Sequence, residues 1–271
     1  MGYQLREASL PVLPQGHQPI RVLHFSDLHL TPARRREIVD IKSWAALKPD
    51  LVISTGDFLA HPDVVPVVID ALDGLLDRPG LFVFGSNDYF SPRFKNPLNY
   101  LKKDHGPRIL GPDLPTEELR NCLTARGWID LNYSRTTLTV CDTVIEARGT
   151  DDAHLERDNY SLVAGKPGAC DLAIGVTHAP YLRIIEAMSR DDLDLIFAGH
   201  THGGQVRLPM FGGSKALTTN CDLPHWRARG VTRVAGEPWL NVSAGMGTSP
   251  FARIRVACPP EVSLLTLESS L

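Results

Sequence analysis

Thiol chemistry is the first thing this chain of 271 residues lacks. Its five cysteines, Cys122, Cys141, Cys170, Cys221 and Cys258, are odd in number, widely spaced and free of any Cys-x-x-Cys. That speaks against a disulfide framework or a structural zinc knuckle, so idle thiols in a reducing compartment are expected. Long apolar runs are missing too: nothing approaches the ~20 residues of a transmembrane helix. The first 19 residues carry Arg6, Glu7 and three prolines where a signal peptide would carry an apolar core. A soluble, cytoplasmic protein is the expectation, with a peripheral contact to a membrane left open. Basic charge is not in excess either. The 28 Lys and Arg stand against 31 Asp and Glu, a formal net charge of -3, which excludes a whole-protein basic field, and no nucleic-acid partner is expected. Repeats, low-complexity tracts and linkers are absent. The tract Gly245-Met246-Gly247-Thr248-Ser249 matches neither a Walker loop nor a dinucleotide fingerprint, because no lysine and no G-x-G-x-x-G spacing follows a strand.

What is present is a globular composition, 43% apolar and 22% charged, with 22 glycines and 21 prolines that point to many turns. Apolar runs repeatedly stop at polar clusters. Residues 20–25 predict a strand ending at Ser26-Asp27-Leu28-His29, and Thr31-Pro32 then predicts a helix start running to about residue 47. Residues 51–55 form a second predicted strand, stopping at Gly56-Asp57. The spacing of Val64, Val67, Val68, Ala71, Leu72 and Leu75 predicts a helix, and residues 81–84 a third strand before Gly85-Ser86-Asn87-Asp88. Residues 91–127 hold five prolines and are expected to be a cap or insertion with one short helix at 116–126. Further strands are expected at 137–140, 143–148, 172–177 and 195–198, with a helix at 181–189 and a β-rich last third. One α/β domain over 1–271 follows.

Candidate metal ligands sit just past the carboxyl ends of successive predicted strands: Asp27 and His29, Asp57, Asn87, His178, then His200 and His202. Open α/β sheets gather ligands at that edge, so residues remote in sequence converge there. Carboxylate, amide oxygen and imidazole suit Mn²⁺, Fe²⁺ or Zn²⁺, and the absence of cysteine from this set argues against a thiolate site. Seven ligands exceed one four-coordinate centre. They suit two ions sharing a carboxylate, which at ~3.5–4 Å separation clamp a phosphate and activate a water. Alternation places His200 and His202 on one side of an extended segment, and Gly199, Gly203 and Gly204 allow close approach.

The ordered series Asp27-x-His29, Gly56-Asp57, Gly-x-Asn87-Asp88, His178 and Gly199-His200-x-His202 resembles the calcineurin-like metallophosphoesterase superfamily. The tail Gly203-Gly204-Gln205-Val206-Arg207-Leu208-Pro209 is similar to its YkuE-like bacterial branch, which includes hydrolases of lipid-linked nucleotide sugars. The resemblance implies a four-layer α-β-β-α sandwich with a di-metal site at the sheet edge. It implies one ion held by Asp27, His29, Asp57 and His202, and a second by Asp57, Asn87, His178 and His200, with Asp57 bridging. It also implies hydrolysis of a phosphodiester or phosphoanhydride, in a phosphorylated small molecule or lipid-linked substrate, ahead of a simple monoester. A phosphomonoesterase, or a non-catalytic binding protein on the same fold, is the alternative.

The third motif departs from the family pattern Gly-Asn-His-(Asp/Glu). Aligned without gaps, Ser86 takes the ligand slot and Asn87 the histidine slot; aligned by chemistry, Asn87 is the ligand and Asp88 replaces the histidine that contacts phosphate or leaving group. An amide oxygen is the better ligand. Asp88 and His200 are therefore the residues assigned to catalysis, and with no motif histidine to donate a proton, a good leaving group suits the site. Elsewhere, Arg93, Lys95, Lys102, Lys103 and Arg108 form a basic stretch, read as a solvated loop or a substrate-selecting cap that also touches anionic headgroups. Arg34-Arg35-Arg36 is expected on a solvated face, Asp151-Asp152-x-His154 beside the metals rather than on them, and His24 in the core with hydrogen bonds.

Overall fold

A computed structural model describes residues 2–93, 110–210, 213–251 and 254–270. In chain order its elements are β1 (Gln4–Leu13), β2 (Ile20–Phe25), α1 (Arg35–Lys42), β3 (Leu51–Ser54), α2 (Val65–Leu76), β4 (Gly80–Phe82), the single turn α3 (Ser86–Tyr89), α4 (Thr116–Ala125), β5 (Ile129–Asp130), β6 (Arg135–Val140), β7 (Thr143–Gly149), β8 (Leu172–Val176), α5 (Leu182–Arg190), β9 (Leu195–Ala198), β10 (Arg207–Met210), β11 (Gly213–Ala216), β12 (Gly230–Thr232), β13 (Trp239–Val242) and β14 (Glu261–Ser269).

Alternation along the strands decides the layers. Successive strand side chains point to opposite faces. In β3, Leu51 and Ile53 enter the core between two sheets, whereas Val52 enters the core beneath the helices. The first sheet runs β1-β14-β2-β3-β4-β5 and the second β12-β13-β9-β8-β7-β6. Between them Ile20, Val22 and Val83 meet Ile145, Val176 and Phe197. On the outer face of the first sheet lie α1, α2 and α4, and α2 buries Val65, Val68, Ala71, Leu72, Leu75 and Leu76 at helical spacing. The outer face of the second carries α5 through Ile184, Ile185 and Met188. This is the four-layer sandwich that the sequence implied.

Three elements differ from expectation. Helix α1 starts at Arg35 rather than at Thr31, since the chain first closes a turn in which Arg34 N–H donates to the Thr31 carbonyl at 3.0 Å. Strand β1 carries Pro11, a residue tolerated at a sheet edge, and pairs in parallel with β14. The ribbon β10–β11 belongs to neither sheet. The expected insertion at 91–127 falls partly on 94–109, which lie outside the described residues. Its flanks are tied together, Ser91 N–H to the Pro112 carbonyl and Leu114 N–H to the Tyr89 carbonyl, each at 2.8 Å.

Strands β2, β3 and β4 are parallel neighbours in the first sheet, and β8 and β9 in the second. Their carboxyl ends therefore present their loops at a common edge. Near that edge the sheets are pinned by His24, whose Nδ1 lies 2.7 Å from Asn241 Nδ2 on β13 and whose Nε2 lies 3.0 Å from Thr55 Oγ1. Burial pushes this imidazole down to about 3, so it is neutral, as a hydrogen-bonded core histidine should be.

Candidate metal centre

The ligand loops begin with unusual backbone. Asp27, His29, Asp57, His200 and His202 all have φ between 43° and 65°. This left-handed region is sparsely used by residues with a side chain and is held only when surrounding contacts dictate it. Those contacts are present: Asp27 N–H donates to the Gly56 carbonyl and His29 N–H to the Asp57 carbonyl, both at 2.9 Å. Glycine is required where the loops crowd most. A Cβ on Gly245, itself at φ 71°, would stand 2.7 Å from Asp27 Cβ.

Two groups of donors result. The ligand atoms of Asp27, His29 and His202 lie within 4.8 Å of one another, and so do those of Asp27, Asp57 and His178. His29 Nε2 is 3.3 Å from His202 Nε2 and 3.4 Å from Asp57 Oδ2, while His178 Nε2 is 3.6 Å from the same oxygen. Asp27 Oδ1 and His178 Nε2 are buried without a hydrogen-bond partner. Buried polar atoms are normally satisfied, and one carboxylate oxygen and one ring nitrogen left open toward each other's group fit a divalent cation. The ring of His178 is aimed by its far side, because the Thr55 carbonyl at 2.6 Å can only accept and so fixes the proton on Nδ1.

Electrostatics agree with that fit. Burial, followed by the neighbouring cationic groups, holds His29 well below its ordinary value, and burial with Arg255 takes His202 down to about 3. Both are neutral imidazoles, the form that ligates. Burial opposes charge on His178 as well, but Asp57, Asp152 and Asp27 outweigh it and raise that ring to about 9. Three carboxylates facing one ring describe a pocket short of positive charge, which an ion supplies.

The profile of the calcineurin-like phosphoesterase family matches residues 20–204, from β2 through this centre. The chain belongs to that family. As a calcineurin-like phosphoesterase it is a hydrolase acting on phosphoester bonds. It is 27% identical to the uncharacterized protein YpbG of Bacillus subtilis over 98% of this chain and 88% of that one. It is 26% identical to the uncharacterized metallophosphoesterase YkuE of the same organism, over 96% of this chain and 82% of the relative. To the phosphodiesterase YaeI of Escherichia coli it is 25% identical, over 98% and 88% of the two chains.

The remaining expected site residues of this phosphoesterase fall at different depths. Asn87 reaches the centre: its Nδ2 lies 2.8 Å from Asp57 Oδ2 and its backbone N–H donates to Asp57 Oδ1 at 2.7 Å. Ser86 Oγ is 3.5 Å from the same amide. His200 packs edge-on against His178, ring centroids 5.2 Å apart, but its Nε2 faces Asn220 at 3.2 Å and it stands outside both donor groups. Asp88 lies beneath the centre, fully buried. Its carboxylate accepts N–H groups from Asp57 at 2.7 Å, Phe58 at 2.7 Å, Gly85 at 2.9 Å and Leu59 at 3.1 Å. The geometry therefore differs from the phosphate contact expected of it: both oxygens are taken by backbone.

Asp152 and His154 stand outside the two donor groups. Asp152 Oδ2 is buried without a partner, and the His154 ring lies 4.3 Å from that of His200. Arg255 was not anticipated. Its guanidinium sits 3.4 Å from His202 Nδ1 and donates to the carbonyls of Ala244, Gly245 and Gly247. No motif marks it, and the bridge that pairs Val206 with Val256 helps bring it there.

Proposed function

We propose that this phosphoesterase cleaves a phosphodiester or phosphoanhydride in preference to a simple monoester. The observation that carries the phosphoanhydride reading is the Asp88 carboxyl group, whose oxygens are fully occupied by four backbone N–H groups; the diester reading rests on the likeness to a relative named as a phosphodiesterase, because an alkoxide leaves from a diester as it does from a monoester. With the motif histidine replaced and Asp88 committed to backbone, no side chain of the third motif donates a proton to a leaving group. A substrate whose departing oxygen is already a weak base needs no such donor.

Asp27, His29, Asp57 and His202 would hold one divalent ion, and Asp57, Asn87, His178 and His200 a second, drawn from Mn²⁺, Fe²⁺ or Zn²⁺. Bound there, the ions supply Lewis acidity and lower the pKa of a water towards neutrality. The chain does the positioning. Asn87 and Asp88 together fix Asp57, the first by its amide and the second through the Asp57 N–H. Thr55 fixes the tautomer of His178, and His200 would have to leave Asn220 to join the second group. Arg255, beside His202, keeps a cation at the rim that favours an anionic phosphoryl group. The proposal extends to nucleotide-type and lipid-linked phosphates.

A panel of aryl mono- and diesters, cyclic nucleotides, nucleotide sugars and phospholipids, assayed with added Mn²⁺ and with His200→Ala as the blank, tests this. Faster turnover of diesters or anhydrides than of monoesters is expected. Monoester cleavage alone would replace the proposal with a phosphomonoesterase, and a protein that takes up no metal under excess Mn²⁺ would replace it with a binding protein.

A further inference from the structure

Exposed apolar side chains are not spread evenly over this molecule. Of the eleven large hydrophobic residues exposed among the described residues, seven lie between positions 208 and 256. The ribbon β10–β11, apart from both sheets, presents Leu208 and Met210 on one of its faces. Beside its base, His225 Nδ1 bonds to the Ala216 carbonyl at 2.8 Å and sets Trp226, 60% exposed, next to the ribbon. On its other flank, Gln205 Nε2 donates to the Ile254 carbonyl at 3.0 Å and Val206 pairs with Val256, which leaves Ile254 73% exposed. Contiguous apolar surface of this kind marks a contact with something apolar.

Charge is segregated onto the same segment. Residues 201–256 contain seven lysines and arginines against two acids, Asp222 and Glu237, although the whole chain has a net charge of -3; Arg207 and Arg227 are buried, and Lys215 and Arg233 are the exposed cations among the described residues of this segment. Both acids are engaged: Asp222 accepts the Leu182 N–H at 2.8 Å and Glu237 pairs with Arg227 at 2.9 Å. Lys215 stands directly across the ribbon from Leu208. A lysine beside a leucine places an ammonium at headgroup level above an apolar side chain in the acyl region.

We infer that this lobe docks the protein on an anionic lipid bilayer. A negatively charged membrane attracts the exposed Lys215 and Arg233 of a body whose net charge is negative, and the apolar tips beside them hold it there. Nucleic acid matches the charge but gives exposed Leu, Met and Ile nothing to bury against, and a second copy of this chain seated on the same patch would bring like-charged Lys215 side chains together. The docking surface continues directly into the centre: Gln205 and Val206 follow His202-Gly203-Gly204, and Arg255 reaches His202 from the neighbouring segment. On the phosphodiester reading above, the bilayer then lies beside the mouth of the centre, and a phosphoester in the headgroup layer is the substrate within reach. This last step rests on that reading; the docking itself does not.

Sedimentation of the full chain with liposomes tests it. Binding to vesicles of phosphatidylcholine with phosphatidylglycerol, little binding to phosphatidylcholine alone, and release by high salt are expected. Leu208→Ser with Met210→Ser, and separately Lys215→Glu, should each lower vesicle binding by about tenfold or more, with the melting temperature and the hydrolysis of a soluble aryl diester unchanged. No sedimentation with anionic vesicles overturns the inference, as does equal sedimentation by both variants. A wild-type dimer in light scattering that the double serine variant dissolves overturns it too, since a second copy then covers the patch. Diester hydrolysis in solution reads the catalytic proposal without any vesicle, so the two fail separately.

Discussion

Replacing Asp88 by asparagine separates a catalytic acid from a structural anchor. The wild-type carboxylate offers two oxygens, one shared by the N–H groups of Asp57 and Gly85 and the other by those of Phe58 and Leu59. Asparagine keeps one oxygen and puts an NH₂ where the other was. Whichever way the amide turns, two backbone N–H groups lose their acceptor in a site with no solvent access. A buried N–H left without its acceptor costs ~1–3 kcal/mol, so the loss is about 2–6 kcal/mol for the two. Against a total stability of about 5–15 kcal/mol this is large. Urea unfolding of the metal-free protein measures it as a lower midpoint at unchanged slope. Metal affinity should fall in parallel, because the same carboxylate ties the Asp57 loop to the Gly85 loop. A variant within about 1 kcal/mol of wild type that binds metal normally yet has lost turnover would refute the anchor and restore the acid.

Two further perturbations probe the frame of the centre. His24 is neutral in the fold because burial lowers it to about 3, whereas the unfolded chain protonates it near 6.5. The unfolded state therefore binds the extra proton, and stability that is complete above pH 6.5 is lost as pH falls toward 3, at about 1.4 kcal/mol per pH unit. The His24→Gln variant should show a pH slope of unfolding free energy shallower by that amount between pH 4 and 6, and equal slopes would show that His24 is not buried in its neutral form. Gly85 has extended backbone that alanine also adopts, but an added Cβ would collide with Asp57 Oδ1 and the His178 ring. Gly85→Ala should fold with a normal circular dichroism spectrum and lose tenfold or more in metal affinity, measured by metal analysis after dialysis; undiminished metal content would place the centre elsewhere.

Strands β2, β3, β8 and β9 and the residues that follow them were apparent from the chain alone, because each is a short apolar run broken by an Asp or His that cannot continue the core. Helix α2 was equally plain, from its period. The rest depends on partners distant in sequence. Asp88 carries the same letters whether it faces substrate or four backbone amides, and only the approach of the Asp57 loop decides between them. Arg255 arrives through a bridge between residues 50 apart, which no local pattern encodes. The ribbon β10–β11 lacks alternation with a buried face, so strand patterning has nothing to detect.

The placement of β14 has a consequence for how the protein is made. It lies between β1 and β2, paired with β1 in parallel and with β2 in antiparallel fashion. A nascent chain emerging from the ribosome exposes β1 and β2 as two unfilled edges until residues 261–269 are synthesised. The loops bearing Asp27 and Asp57 are aligned by the β2–β3 pair itself, but the first sheet is completed only through contacts more than 200 residues apart, and such long-range pairing is slow. During that interval the open edges are templates for pairing with other chains. Completion of the first sheet is thus a late event in biosynthesis, and loss of the last strand would expose two sheet edges before it disturbed a single ligand.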